Sequence, residues 1–177
     1  AVDLAGTAVG VVGAAGVLGP ERVVAGDLII GLHSPNLRSN GFSLVRAVLG
    51  DEVDALAGTL LEPSVIYSPA IVSLAGLEGV HAAAHITGGG IAHNLARALP
   101  DDLGATVDLG SWERPEVFHL ISSHGVSEPE MQRTFNLGIG FCLVVSPQAE
   151  KDVLARVEEH MPVRIGVVGA GRGVELR

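Results

Sequence analysis

The chain has 177 residues, of which 47% are hydrophobic and only 3% are aromatic. This length suits one domain with a sizeable core, built from Val, Leu, Ile and Ala rather than from rings. Because 20 Asp and Glu outnumber 11 Lys and Arg, the net charge of −9 disfavours nucleic acid and anionic membrane surfaces as partners. Any phosphate that this chain binds must therefore be held by local groups.

The number of cysteines and the lengths of the apolar runs indicate the cell compartment. A single cysteine, Cys142, excludes an internal disulfide, and it cannot form a zinc site without help from histidines. The sequence has no basic leader at its start and no apolar run of about 18 residues. We therefore expect a cytoplasmic protein. The chain starts without Met in a strand-like pattern, and we expect it to be a piece of a longer polypeptide.

The first third of the chain contains two predicted strands and one helix. Residues 7–12 are apolar and β-branched, which predicts a strand. Residues 28–32 form a wholly apolar run, typical of a strand in a sheet covered on both faces. A loop follows, and then apolar residues at helical spacing from position 42 to position 49 predict a helix.

The loop between that strand and that helix is a candidate binding loop. We expect Asn36 and Gly41 to supply left-handed backbone geometry, and Ser39 or Asn40 to cap the helix. Arg38 adds a fork of hydrogen-bond donors. An ordinary capped helix entry with a solvent-facing arginine is the alternative that these residues leave open.

The stretch 80–90 carries the strongest local signal. Residues 80–86 predict a strand, and Thr87, Gly88, Gly89 and Gly90 lead from it into an amphipathic helix. Consecutive glycines let backbone N–H groups point at one spot, which suits a phosphate. The alternative is a loop that only needs positive φ angles. We expect His81 and His85 on the strand to be packed or capping residues rather than metal ligands.

The remaining elements alternate irregularly between strands and helices. We predict a strand at 105–109, a strand that ends at 145, and a hairpin-like pair of strands at 163–168 and 174–176. We also predict helices after Pro115, Ser127 and Pro147. The predicted fold class is therefore α+β, with one mixed β-sheet and helices packed on it.

Several short sequence motifs occur together, and in the same order, in one family. They are Gly26 to Leu32, Arg38-Ser39-Asn40-Gly41-Phe42-Ser43-Leu44, His85-Ile86-Thr87-Gly88-Gly89-Gly90, Trp112, Pro115-Glu116-Val117-Phe118, and Glu130-Met131-Gln132-Arg133-Thr134-Phe135-Asn136. With them, residues 1–177 resemble the C-terminal domain of the phosphoribosylformylglycinamidine cyclo-ligases, also called aminoimidazole ribonucleotide synthetases.

The resemblance implies an ATP-dependent ring closure in purine biosynthesis, which converts formylglycinamidine ribonucleotide to aminoimidazole ribonucleotide, ADP and phosphate. It implies ATP and Mg²⁺ as cofactors and a homodimer. It also implies an N-terminal domain, absent from this chain, that carries much of the ATP and metal site and the dimer contacts. This half alone is expected to be inactive and to hold no metal. A non-catalytic phosphate-ligand binding or oligomerisation module of the same superfamily is the alternative.

The resemblance also assigns candidate site residues. Ser39, Asn40 and Gly41, together with Thr87, Gly88, Gly89 and Gly90, match signatures expected to bind the phosphate of the substrate or the nucleotide. Arg38 and Asn136 are expected to line or buttress the cleft, and no catalytic residue can be named.

Four positions depart from the family pattern as it is usually seen. Pro35 and Asn36 replace a Ser-Gly pair, Arg38 stands where His is common, and Val65 replaces a basic residue. Any ligand contact made by that basic residue is lost here or made by another group.

Overall fold

The computed structural model describes residues 5–74 and 76–177, apart from the side chain of Ala15. These residues form a six-stranded mixed sheet in the order β2-β4-β1-β5-β3-β6. The strands are β1 (Leu28–His33), β2 (Val80–His85), β3 (Leu103–Val107), β4 (Ile139–Val145), β5 (Val163–Ala170) and β6 (Gly173–Leu176). The predicted fold class is confirmed.

Seven α-helices connect and cover the strands within the described part of the chain. They are α1 (Phe42–Leu49), α2 (Ala57–Leu60), α3 (Ser68–Ser73), α4 (Gly90–Ala96), α5 (Glu116–Ser123), α6 (Glu128–Thr134) and α7 (Glu150–Arg156). None of the helices in the described ranges is long and apolar enough to cross a membrane.

The sheet is covered on both faces, as the apolar run of β1 predicts. Ile29 packs in a cluster with Ile91 and Leu95 of α4, whereas the next residue, Ile30, packs with Leu74 and with Val153 of α7. Successive strand residues point to opposite faces, so a strand buried on both sides must be apolar throughout. A third cluster joins α1, α5 and α6 at one end of the sheet.

Cys142 lies in β4, in the middle of the sheet, and is fully buried. Burial raises the pKa of its thiol to about 12 because the thiolate would lose its hydration. The thiol is therefore protonated at neutral pH.

Two strand predictions are wrong. Residues 7–12 form no strand, and Val9 and Val11 are almost completely exposed, because no other described strand pairs with this segment. The predicted terminal hairpin is also absent: β5 and β6 do not pair with each other, since β3 lies between them, antiparallel to β5 and parallel to β6.

The two strand histidines each have a partner within the protein. His81 Nδ1 lies 2.7 Å from Oδ2 of the buried Asp27, which also accepts a hydrogen bond from the Val24 amide. His85 contacts Arg38. Among the described residues no group of three or more His, Cys, Asp and Glu side chains could hold a metal ion.

Candidate functional site

Three loops meet at one edge of the sheet. Because β1 and β2 are both antiparallel to β4, their C-terminal ends lie at the edge where β4 begins. This edge gathers the Asn40 loop (residues 34–41, after β1), the glycine loop (residues 87–90, after β2) and the Asn136 loop (residues 135–138, before β4). The topology thus brings all the predicted site residues to one region.

The glycine loop is held in place by Asn94, a buried residue of α4. The Asn94 amide donates to the carbonyl oxygen of Gly90 at 2.8 Å and more weakly to those of Gly88 at 3.3 Å and Thr87 at 3.4 Å. In a trans peptide the C=O and the following N–H point in opposite directions. Turning the carbonyls of Thr87 and Gly88 inward therefore turns the N–H groups of Gly88 and Gly89 outward.

These two outward N–H groups differ in their partners. The Gly88 N–H donates to the side-chain oxygen Oδ1 of Asn40 at 3.0 Å, which joins the glycine loop to the Asn40 loop. The Gly89 N–H has no hydrogen-bond partner among the described residues. The third glycine, Gly90, donates to the carbonyl oxygen of Thr87 at 3.3 Å, so its N–H is already used within the loop.

The glycines also serve different structural needs. Gly89 and Gly90 adopt left-handed φ angles of 98° and 69°, and a Cβ at Gly90 would collide with the backbone carbonyl of Gln132. A Cβ at Gly88 would meet only the Asn40 Oδ1 atom, at 3.4 Å, an ordinary contact. Gly90 is therefore required by packing, whereas Gly88 tolerates a side chain.

The Asn40 loop obtains its left-handed geometry only partly from the predicted residues: Gly41 has a φ angle of 74°, as predicted. Arg38 and Ser39 have φ angles of 53° and 57°, whereas Asn36, which we predicted in this role, is not left-handed. The Asn36 side chain instead accepts a hydrogen bond from the Arg38 amide at 3.0 Å and donates to the Pro63 carbonyl at 2.8 Å. Asn36 therefore stabilises the strained turn without adopting its geometry.

The entry to α1 is also different from the prediction. Gly41 is the N-cap residue, with a φ angle of 74°, and no side chain makes a capping hydrogen bond there, so Ser39 and Asn40 do not cap the helix. The Asn40 amide donates instead to the Arg38 carbonyl at 2.7 Å. A side chain at Gly41 would collide with the ring of Phe135. Gly41 therefore has a packing role, and Ser39 lies exposed at the tip of the loop.

Asn136 connects the third loop to the first. Its buried amide donates to the Asn36 carbonyl at 2.8 Å and accepts from the Gly138 amide at 2.8 Å. A backbone hydrogen bond from Ser34 to the Gly138 carbonyl, also at 2.8 Å, adds to this connection. Asn136 therefore stands in a buttressing position, behind the Asn40 loop.

Arg38 is buried and packs against side chains of β2 and of the segment before α3. Its guanidinium donates to His85 Nε2 and, at 3.2 Å, to the Val65 carbonyl, and it lies 5.0 Å from the ring centre of Tyr67. Desolvation and the nearby guanidinium both lower the pKa of His85. The imidazole is consequently neutral at pH 7, and its Nε2 atom can accept the hydrogen bond.

The sequence does not single out two residues that shape this region. Asn94 could have been found, because it is an amide on the otherwise apolar buried face of α4, four residues after Gly90. Tyr67 gives no such signal, since an isolated tyrosine before a helix fits any core. The resemblance assigns Thr87 to phosphate binding, and in the structure its hydroxyl donates to Asn94 Oδ1 at 3.3 Å.

The sequence matches a known family. Residues 24–177 match the model of the family described as AIR synthase related protein, C-terminal domain. The chain belongs to this family. The resemblance inferred from the short sequence words is thereby confirmed.

Two curated relatives show how this AIR synthase related domain is used elsewhere. The chain is 43% identical over 189 residues to the chloroplastic phosphoribosylformylglycinamidine cyclo-ligase of Arabidopsis thaliana, covering 99% of this chain and 49% of the relative. It is 49% identical over 162 residues to the cyclo-ligase of Sorangium cellulosum, covering 83% and 47%. The chain thus spans about half the length of the curated relatives it matches.

Solved structures confirm the fold of the AIR synthase related domain. The hydrogenase maturation protein HypE of E. coli superimposes with a TM-score of 0.64 at 22% identity, covering 90% of this chain and 48% of HypE. At this identity the likeness concerns the fold alone.

Proposed function

We propose that this chain is the C-terminal half of an ATP-dependent phosphoribosylformylglycinamidine cyclo-ligase. The complete enzyme would convert formylglycinamidine ribonucleotide to aminoimidazole ribonucleotide, ADP and phosphate. The names of relatives that are 43% and 49% identical support this function and favour it over a non-catalytic module. The homodimer and the cytoplasmic location belong to the same proposal.

In this reaction the amide oxygen of the substrate is phosphorylated, which makes it a good leaving group, and a nitrogen of the substrate then attacks the same carbon. We assign to this half the binding of a phosphate group of the substrate or of the nucleotide. ATP supplies the transferred phosphoryl group. Because the described residues lack a cluster of acidic or other metal-ligating side chains, we assign Mg²⁺ to the N-terminal half.

One observation supports the phosphate assignment most directly. An oxygen atom, Oδ1 of Asn40, already lies 3.0 Å from the outward N–H of Gly88, and the neighbouring Gly89 N–H has no partner among the described residues. Adjacent outward N–H groups bind anions in many proteins. We propose that a phosphate oxygen replaces Asn40 Oδ1 at Gly88 and that Gly89 donates to the same phosphate. Since α4 has only seven residues, the contact is assigned to the loop amides and not to the helix dipole.

The test is an amide NMR titration of this chain with formylglycinamidine ribonucleotide and, separately, with ATP. We expect saturable shifts at Gly88 and Gly89 with at least one ligand. In the Asn40→Asp variant a carboxylate would stand beside the Gly88 N–H and repel phosphate, so the affinity should fall at least tenfold.

A matched control adds the same charge away from the loops. Gln148→Glu changes an exposed amide at the opposite edge of the sheet, beyond the end of β4, and should leave the affinity unchanged. The assignment of phosphate to the glycine loop is wrong if neither ligand shifts Gly88 or Gly89, or if Asn40→Asp binds as tightly as the wild type.

A further inference from the structure

A second concave site lies around the side chain of Arg38. This Arg38 cleft has a volume of about 450 Å³, and its principal lining residues are Arg38, Tyr67, Ile71, Val72, His85 and Phe141. Its size falls within the range of small-molecule sites, roughly 300–1,000 Å³. It is lined mostly by apolar and aromatic groups, and two of its lining residues, Ile66 and Val72, are largely exposed.

Arg38 is a buried cation without an acidic partner. Only 8% of its surface is exposed, and no Asp or Glu side chain within residues 5–74 and 76–177 pairs with its guanidinium. Its partners are the Val65 carbonyl, the neutral ring of His85 and the face of Tyr67. All three are uncharged. In a protein whose net charge is −9, the absence of a described acidic partner is notable.

The guanidinium also has unused hydrogen-bond donors. It carries five N–H groups, and the structure uses one at each of two nitrogens, Nη1 and Nη2. The third nitrogen, Nε, is buried and has no partner among the described residues. A buried charge with unsatisfied donors costs several kcal/mol unless an opposite charge compensates it.

The surroundings hold the guanidinium in place. The residues that contact it, Val65, Tyr67 and His85, all line the cleft, so the charged group lies in the cleft wall. His85 stacks in turn on Phe141, with ring centres 5.8 Å apart, and Tyr67 packs on Phe141 at 5.7 Å. A positioned guanidinium among rings and aliphatic side chains is suited to a ligand with an anionic group and an apolar body.

We propose that the Arg38 cleft binds an organic oxyanion, with the Arg38 guanidinium pairing the oxyanion and Ile71, Val72 and the aromatic rings packing on its apolar part. The shared chemistry is that of a phosphate ester or a carboxylate. The inference rests on the contacts of Arg38 and is independent of the cyclo-ligase proposal and of the glycine loop.

The experiment compares three probes on the intact chain by NMR of the Ile71 and Val72 methyl groups, the His85 ring and the Arg38 Nε–H. The probes are inorganic phosphate, phenyl phosphate and benzoate. We expect saturable shifts at these groups with phenyl phosphate or benzoate, and binding at least tenfold tighter than that of inorganic phosphate. If phenyl phosphate binds more tightly than benzoate, the ligand class is a phosphate ester. If benzoate binds more tightly, the ligand class is a carboxylate.

Two arginine substitutions test the role of the guanidinium. Arg38→Met keeps the length and removes the charge, and it should weaken binding of the ring-bearing probes at least tenfold. Arg46→Met removes an exposed arginine of α1 and should have no effect. The wild-type Arg38 Nε–H signal needs no variant, so the test survives if Arg38→Met does not fold. The proposal is overturned if the probes shift only the amides of Gly88 and Gly89, or if Arg38→Met binds them unchanged.

Discussion

The Asn40 loop and the glycine loop follow parallel strands to the same edge of the sheet, yet they reach their shapes differently. In the glycine loop, the left-handed positions are Gly89 and Gly90, where glycine pays no steric penalty. In the Asn40 loop, two of the three left-handed positions are Arg38 and Ser39, residues for which this geometry costs about 1–2 kcal/mol each.

The difference shows what a strained turn requires. The Asn40 loop is tied by amide side chains from two directions, Asn36 within the loop and Asn136 behind it. In the glycine loop the Asn94 side chain orients the carbonyls. Side-chain hydrogen bonds therefore compensate strain in one loop, and residue choice avoids strain in the other.

The largest effect is expected for Gly90→Ala. The added methyl group would meet the Gln132 carbonyl, a backbone atom that cannot rotate away, and the φ angle of 69° adds strain. We expect a loss of about 3 kcal/mol in the free energy of unfolding, measured by urea denaturation. Gly88→Ala, two positions earlier, should change it by less than about 1 kcal/mol. Equal losses would show that the two glycines do not differ in role.

An intermediate effect is expected for Asn94→Ala. This change removes the donor that orients the carbonyls of the glycine loop and leaves the Gly90 carbonyl without it. The free energy of unfolding should fall by about 2 kcal/mol. The amide exchange of Gly88 and Gly89 should also accelerate, while that of the Asn40 loop stays near its wild-type rate. Equal acceleration in both loops would contradict a separate role for Asn94.

The smallest effect, with the opposite sign, is expected for Ser39→Gly. Glycine relieves the left-handed strain at this exposed position but loses more chain entropy on folding, so the net gain should be about 0.5 kcal/mol. Ala47→Gly, in the exposed face of α1, should cost about 1 kcal/mol because the helix interior disfavours glycine. A loss of stability at both positions would show that Ser39 is not strained.

The sequence predicted the fold where local pattern and packing agree. The apolar run from Leu28 to Leu32 predicts a strand covered on both faces, and the structure confirms this prediction. Residues 7–12 carry a similar, largely apolar pattern but form no strand. A strand forms only when an adjacent strand pairs with it, and the pattern of one segment does not show whether such a strand is present.

The candidate site was predictable in outline and not in detail. The words around Asn40 and around Gly88 identified both loops, and the topology brought them together. The side chains that stabilise the loops do so through tertiary contacts, which local sequence does not reveal. One example is the hydrogen bond from Asn136 to the Asn36 carbonyl, 100 residues apart in sequence. Local propensity placed asparagine in the left-handed turn, but the hydrogen bonds of Asn36 hold it outside that geometry.

The buried thiol of Cys142 is a native labelling site that reports on the centre of the sheet. Because its side chain packs in the same cluster as Ile91 and Leu95 of α4, a thiol reagent can reach it only when this packed face of the sheet opens. The rate at which such a reagent modifies the native chain therefore measures how often the centre of the sheet opens. Since β4 also starts at the loop edge, a ligand that ties the loops together should slow this labelling, and one chemical reaction would report on binding and on opening together.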